Sequence, residues 1–350
     1  LSRNFTSDNV TPASPAIMAA VAAANHAEVA SYGADPLTQQ LQAVVGEVFE
    51  TDVVVFPVAT GTAANALALA QLTPPYGGVY CHQTAHIVTD ECGAPEFYTG
   101  GAKLLGLPGA DGKIGAADIA AGVRLAADMG VHHVKPAAVS LTQATEWGTV
   151  YHPDEIAAIA ALATREKLGL HMDGARFANA VAHLGCTPGE LTWRAGVDVL
   201  SLGATKNGAL CAEAVVFFNR ALARDFERRR KQSGHLWSKL RFLTAQLLAY
   251  FRDDLWLANA AHANAMATAL AAGFAALPNV RLLQAVQANE VFLALPEPLV
   301  AALEAADFGF YRWPAAAAPG VAIRLVCSYA TARADVDAFV DAAKEFSRCN

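Results

Sequence analysis

Apolar residues in this chain gather into short unbroken runs that alternate with longer stretches of helical spacing. The run 53–56, Val53-Val54-Val55-Phe56, has the length and β-branched content of a buried strand. Thr60-Gly61-Thr62 punctuates it, and 63–72, rich in Ala and Leu, then reads as a helix. Further strands are expected at 138–141, at 168–172 ending on Asp173, at 197–202 ending just before Lys206, and at 214–218. The stretch 153–167 has the marks of a helix. Pro153 stands in the first turn, Asp154 and Glu155 lie near the positive end of the dipole, and Arg165 and Lys167 near the negative end. Strands alternating with helices predict an α/β sandwich around a mostly parallel sheet.

Past Leu255 the texture changes. A long Ala-rich helix is expected over 255–277, ended by Pro278-Asn279. A strand at 291–295, a helix at 299–306, a strand at 321–326 and a closing helix at 335–346 follow. Separated strands interleaved with helices predict a small α+β C-terminal domain. The chain therefore divides into an N-terminal arm with a large domain over 1–254 and a small domain over 255–350. No internal repeat is visible, and the one low-complexity patch, Ala315 to Ala318, reads as a loop.

Charge is scarce. Of 350 residues, 54% are apolar and 16% charged, against roughly 25% charged in an ordinary soluble domain. Such a chain buries enough surface to fold, which excludes a disordered or fibrous class. It also places much surface in a thick core or a subunit interface. From Val53 to Thr89 there is no Asp, Glu, Lys or Arg. Pro57, Pro74, Pro75 and the Gly77-Gly78 pair break that run well before the ~20 continuous apolar residues of a membrane span. It reads as buried structure, with no membrane role.

The net charge of −7 argues against nucleic acid as a partner. The one basic cluster, Arg228-Arg229-Arg230-Lys231, fits a solvated or phosphate-facing turn of helix. Six cysteines without a C-x-x-C pair suggest reduced, mostly buried thiols. Arg3, Asn4 and Asp8 interrupt any apolar start, so no signal peptide is expected here. Together these point to the cytoplasm.

Few charges interrupt the apolar runs, and those few are the chemical candidates. Lys206 follows a buried strand among small residues. It is either a solvated loop lysine or a desolvated amine able to attack a carbonyl. Asp173 ends the neighbouring strand, on the carboxyl edge where α/β sheets bind ligands. It is either a turn aspartate beside Gly174 or the partner of a protonated pyridine nitrogen. One strand–helix–strand unit separates the two, so both can reach one site. Thr60-Gly61-Thr62 opens a helix and is either a plain cap or an anion cradle. No dinucleotide or Walker glycine pattern occurs. His82 and His86 are spaced for a metal, but no third ligand is obvious beyond Asp90 or Glu91. A stacking or core imidazole fits better, and no metal is expected. Arg324 interrupts the apolar strand 321–326 and must be paired, either to a substrate carboxylate or in a structural ion pair. Arg176 could serve the same anion.

These segments, in order, resemble the low-specificity L-threonine aldolases of the β-eliminating lyase group. The landmarks are Thr6-Ser7-Asp8-Asn9, Tyr32-Gly33-Ala34-Asp35-Pro36, Thr60-Gly61-Thr62-Ala63-Ala64-Asn65, Ala85-His86-Ile87, His171-Met172-Asp173-Gly174-Ala175-Arg176, Lys206 and Ile323-Arg324-Leu325-Val326. The resemblance covers nearly the whole chain. It implies a fold-type-I pyridoxal 5'-phosphate enzyme, with a three-layer large domain and a small C-terminal domain. It implies cleavage of L-threonine, L-allo-threonine and related β-hydroxy-α-amino acids to glycine and an aldehyde. Selectivity for the L form at Cα and relaxed preference at Cβ follow from the same likeness. The alternatives are β-elimination or transamination on the same scaffold, or a cofactor-free binding protein.

The resemblance also implies roles. Lys206 would bond to the cofactor covalently, Asp173 would pair with its ring nitrogen, and His86 would stack on the ring. Gly61 and Thr62 would hold the phosphate, with Arg176 nearby and a basic residue of a neighbouring subunit, Lys239 in first place over Lys231 or Arg241. Ser7, Tyr32, Arg176 and Arg324 would hold the substrate. Glu91 and His133 would position the water or proton acceptor near the substrate hydroxyl. A homotetramer, built as a dimer of dimers with active sites at the subunit interface, is implied as well.

Two segments depart from the pattern. Many relatives carry Glu-Asn-Thr-His where this chain has Leu141-Thr142-Gln143-Ala144-Thr145-Glu146. Many carry Gly-Gly-Gly-Met-Arg where it has Ser233-Gly234-His235-Leu236-Trp237-Ser238-Lys239.

Overall fold

A computed structural model describes residues 3–314 and 319–349. Seven strands form the main sheet: β1 (Val54–Val58), β2 (Gly77–His82), β3 (Lys103–Leu107), β4 (Lys135–Thr142), β5 (Gly169–Gly174), β6 (Val199–Gly203) and β7 (Glu213–Phe217). Their spatial order is β1-β7-β6-β5-β4-β2-β3. β7 runs antiparallel to both neighbours, and every other adjacent pair is parallel. The α/β expectation is met, and the strands read from apolar runs all exist within a few residues.

Helices cover both faces of this sheet. Along β6 and β7 the side chains alternate. Leu200, Leu202, Ala214 and Val216 enter one core, while Val199, Val215 and Phe217 pack with Ala64, Leu67 and Ala68 of the helix Gly61–Leu72 on the other face. Burial on both faces explains why these strands, Ser201 and Glu213 apart, are apolar rather than alternating.

β2 and β3 were not legible. Gly77-Gly78 looks like a chain break, yet it opens β2. A Cβ on Gly77 would stand 2.5 Å from Thr73 Cγ2, and one on Gly78 2.9 Å from Leu105 Cδ1 and Val134 Cγ2. The glycines mark close approach of neighbouring segments, not a loop.

The second sheet comprises β8 (Arg281–Leu282), β9 (Glu290–Leu295), β10 (Tyr311–Arg312) and β11 (Val321–Val326), in the antiparallel order β10-β11-β9-β8. The helix Leu255–Ala275 serves two cores. Trp256 and Ala260 enter that of the main sheet, while Ala267, Leu270 and Phe274 enter the second with Phe339 of the closing helix Arg333–Cys349. The N-terminal arm joins the second core as well. Phe5 is buried there, its N–H donates to the Gly309 carbonyl at 2.7 Å, and its carbonyl accepts from Val326 N–H at 2.8 Å. The arm then delivers Ser7 and Asp8 to the cleft between the two sheets.

Ala315 to Ala318 lies outside the described residues. No described helix is long and apolar enough to cross a membrane. The five described cysteines carry free thiols, but only Cys81 and Cys327 are buried. In the basic cluster, Arg228 is exposed. Arg230 is instead buried, donating to the Pro57 carbonyl at 3.2 Å and lying over the Phe56 ring.

Candidate active site

Parallel strands deliver their carboxyl ends to one edge of the sheet. β4 ends at Thr142, β5 at Gly174, and β6 at Gly203 just before Lys206; β1, also pointing this way, leads through Ala59 and Thr60 into the helix Gly61–Leu72. Gly203 is required here, because a Cβ would stand 2.6 Å from the Ala175 carbonyl oxygen. The result is an inner cavity of about 350 Å³ lined by Gly61, Thr62, Asp173 and Lys206 among others.

Asp173 is buried and doubly held. Its Oδ2 accepts from Asn65 Nδ2 at 2.8 Å and its Oδ1 from Ala175 N–H at 3.0 Å. Two residues earlier on the same strand face, His171 links β4 to β6, with Nδ1 2.8 Å from Ser140 Oγ and Nε2 2.9 Å from Ser201 Oγ. Burial pushes its pKa down to about 4, against the pull of Asp173, so His171 is neutral and structural.

Asn65 Nδ2 also donates to Glu91 Oε1 at 2.8 Å, and the same oxygen meets His86 Nδ1 at 2.9 Å. That hydrogen bond raises the pKa of His86, while burial raises that of Glu91. The imidazole is thus anchored from behind with its other edge toward the cavity. Thr60 caps the helix by accepting from Ala63 N–H at 3.2 Å. The N–H groups of Gly61 and Thr62, which have no intrahelical acceptor, are left at the cavity.

A second, outer cavity of about 600 Å³ adjoins the first, sharing Asn9, His86, Glu146, Arg176 and Lys206 with it. Ser7, Trp313 and Arg324 also line it. Arg324 lies over the rings of Trp313 (4.7 Å) and Tyr311 (5.4 Å) and donates to the Thr6 carbonyl at 3.3 Å. Among the described residues its one carboxylate partner is the buried Glu290, 3.9 Å away. Arg176 is committed differently. It grips Asp8 through two hydrogen bonds and stands 3.6 Å from Glu290. Burial would raise the pKa of Asp8, but Arg176, Lys206 and the Asn289 amide together outweigh it and hold the carboxyl below its usual value.

The donor set fits pyridoxal phosphate. Among the described residues, the Lys206 amine has no hydrogen-bond partner, and a buried carboxylate faces the same cavity. A helix N-terminus supplies free N–H groups beside Gly61, where a Cβ would meet no atom within 4 Å.

The beta-eliminating lyase family matches residues 4–297. The chain belongs to that family. As a beta-eliminating lyase it is 47% identical over 335 residues to a low specificity L-threonine aldolase of a Pseudomonas species, covering 96% of this chain and 95% of the relative. It is 50% identical over 311 residues to the low specificity L-threonine aldolase of Pseudomonas aeruginosa, covering 89% of each. The solved threonine aldolase of Leishmania major superposes with a TM-score of 0.92 at 30% identity, covering 98% of this chain and 99% of that one. The fold is the fold type I of pyridoxal-phosphate enzymes, and this lyase is pyridoxal-phosphate dependent.

Of the residues singled out by sequence, Gly61, Thr62, His86, Glu91, Asp173, Arg176 and Lys206 line the inner cavity of this lyase, and Ser7 and Arg324 line the outer one. His133 and Tyr32 line neither cavity of the single chain, and Lys239, expected to serve a neighbouring subunit, does not line this chain's own. His133 precedes β4, while the site lies at that strand's other end, roughly 25–30 Å away along eight or nine extended residues. It lines a groove with Tyr76 and Glu166 instead. Tyr32 is exposed and lies under the Lys231 amine at 4.3 Å, and Lys239 is exposed; neither lines either cavity. Arg176 gives two of its five N–H groups to Asp8 and lines both cavities. Sequence reasoning assigned no role to Asn65, Glu146, Glu213 or Glu290. The first two stood inside quoted motifs, so only the pairing across elements was missing.

Proposed function

We propose that this lyase cleaves L-threonine, L-allo-threonine and related β-hydroxy-α-amino acids to glycine and an aldehyde. When bound, pyridoxal phosphate supplies an electron sink for the pair of the breaking Cα–Cβ bond. The protein's own groups hold and orient. Lys206 anchors the cofactor covalently. Asp173, itself steadied by Asn65, keeps a proton on the ring nitrogen. The N–H groups of Gly61 and Thr62 take the phosphate at the positive end of the helix. His86, steadied by Glu91, lies against the ring. Arg324 and Ser7 receive the substrate carboxylate in the outer cavity. Arg176, pinned by Asp8, shapes the wall between the two cavities.

The observation that carries this reading is the presence in one cavity of the unpartnered Lys206 amine, the buried Asp173 carboxylate and the open N-terminus at Gly61. We propose further that residues 1–254 and 255–350 act as large and small units joined through the helix Leu255–Ala275. The chain works in the cytoplasm as a homotetramer, a dimer of dimers with active sites at the subunit interface. Lys231, Lys239 and Arg241 are the candidates to complete a neighbour's phosphate site, and Lys231 and Lys239 are exposed for it.

The test is a product assay with threonine, allo-threonine and phenylserine. Aldehyde and glycine in equal amounts are expected. Ammonia with a keto acid in their place would overturn the reading in favour of β-elimination, and a keto acid without ammonia in favour of transamination. Lys206→Ala should lose both the visible absorbance of the cofactor-loaded protein and the cleavage; retention of both would refute the assignment of Lys206.

A further inference from the structure

Glu146 lies just past the end of β4 and borders both cavities. Its Oε1 is filled, accepting from His86 N–H at 2.8 Å and from Thr142 Oγ1 at 2.9 Å. Its Oε2 is shielded from solvent and has no partner among the described residues. One oxygen therefore fixes the carboxyl group in place, and the other is free to act. An unsatisfied buried acceptor is costly, and in a native site it calls for a partner that arrives with the ligand.

The position of the residue is informative. A β-hydroxy-α-amino acid with its carboxylate toward Arg324 and its amine toward Lys206 has its β-substituents at the junction of the cavities. Glu146 stands at that junction. We propose that Glu146 is a catalytic base that takes the β-hydroxyl proton of the substrate on Oε2. This rests on the aldol-cleavage reading above. In the step, the O–H bond breaks and its electron pair becomes the carbonyl of the departing aldehyde. The Cα–Cβ bond breaks with its pair left toward Cα, and the proton passes to Glu146. Cα later takes up one proton to complete glycine, so the count closes without oxidant, reductant or co-reactant.

The surroundings suit a base that works near neutrality. Burial pushes the pKa of Glu146 up to about 7, with Asp173 of β5 adding to the rise and the hydrogen bonds from His86 and Thr142 opposing it. Arg176, in the turn after β5, supplies the opposite charge. Cys81 of β2, pushed by burial up to about 12, and Tyr151, also raised by burial, face it in neutral form. Lys206 shares both cavities, and Asp90 and Glu290 share the outer one. The rival carboxylates are placed less well. Glu91 and Glu290 also have carboxylate oxygens without a partner among the described residues, but Glu91 does not reach the outer cavity and Glu290 does not reach the inner one. His86 is held toward its protonated form by Glu91.

Glu146→Gln tests this, because the amide oxygen still accepts from His86 and Thr142 while the base is lost. Cleavage of L-threonine is expected to fall at least about 100-fold. Two readouts should stay within about threefold of the parent enzyme: the visible absorbance that reports cofactor loading, and exchange of the glycine α-proton in D₂O, which needs no hydroxyl proton removed. The acid limb of kcat/KM in the parent enzyme, near pH 7, should vanish in the variant. Thr142→Val removes a donor to the ionised carboxylate and should move that limb to higher pH. Glu146→Gln that cleaves within about threefold of the parent would sink the proposal. So would loss of glycine exchange together with cleavage, which marks a merely structural role, or a limb unmoved by Thr142→Val. If the parent enzyme releases no aldehyde, the aldolase reading itself fails, and that is seen before any variant is made.

Discussion

Arg176 holds Asp8 in a two-pronged grip, 2.8 Å from Nε to Oδ2 and 3.0 Å from Nη2 to Oδ1, 168 residues apart in sequence. Both side chains are nearly buried, and Asn289 Nδ2 adds a third contact to Asp8 at 3.0 Å. The N-terminal arm is thereby fastened to the edge of the main sheet beside the site. Removing Asp8 leaves Glu290, 3.6 Å away, as the carboxylate beside Arg176, so the cost falls toward the lower end of the about 3–5 kcal/mol of a broken buried pair. Asp8→Ala is expected to lower the urea midpoint accordingly, and a change under about 1 kcal/mol would contradict this account.

Asn65 binds two carboxylates with one amide nitrogen. Asn65→Leu leaves Asp173 and Glu91 buried without their shared donor. Asp173 then loses the donor that fixes its Oδ2 in the cavity, and with it the orientation needed to meet the ring nitrogen. Loss of such donors to charged groups amounts to about 1–3 kcal/mol. Pyridoxal phosphate affinity, measured by equilibrium dialysis, should therefore fall roughly 10- to 100-fold. Unchanged affinity would show that Asn65 is only a packing residue.

Glu213 introduces a pH dependence. It is buried at the start of β7 and accepts from Ala204 N–H at 2.9 Å, and burial pushes its pKa up to about 7. The unfolded chain releases that proton near the ordinary value of 4.5. Between those values the folded state holds a proton the unfolded state has lost, so stability falls as pH rises from about 4.5 to 7. The full effect is on the order of 3 kcal/mol. Glu146 adds to it with the same sign. Glu213→Gln should flatten the decline of Tm between pH 5 and pH 8, and an unaltered slope would refute the assignment.

Trp313 supports Arg324. The guanidinium lies 4.7 Å from the Trp313 ring, in a half-buried setting where a cation–π contact is worth about 1–2 kcal/mol. Trp313→Ala should raise KM for the amino acid about tenfold with kcat little changed. A fall in kcat at constant KM would mean that the ring acts on the chemistry rather than on carboxylate binding.

Much of this was legible along the chain. β5 and β6 are mostly apolar, interrupted by His171 and Ser201, because both faces of the sheet are covered, and each has a charge at or just past its end, Asp173 or Lys206. The local pattern therefore marked both the strands and the edge where chemistry occurs. The helix Pro153–Glu166 was legible from its own caps and dipole charges. Gly77-Gly78, by contrast, hid β2, since a glycine chosen for close packing has the same letter as one chosen for a turn.

The sequence by itself determined many of the secondary elements, the layered α/β class and the small set of charges able to do chemistry, because periodicity, capping and burial act over a few residues. Only the tertiary structure decided what those charges do. It gave Arg176 to Asp8, sent His133 to the far end of β4, tied Asp173 to Glu91 through Asn65, and left one oxygen of Glu146 without a partner at the junction of the cavities. Each of those outcomes is a pairing between segments distant in sequence. Hydrogen bonds and ion pairs form over about 3 Å of space, a distance that spacing along the chain does not encode.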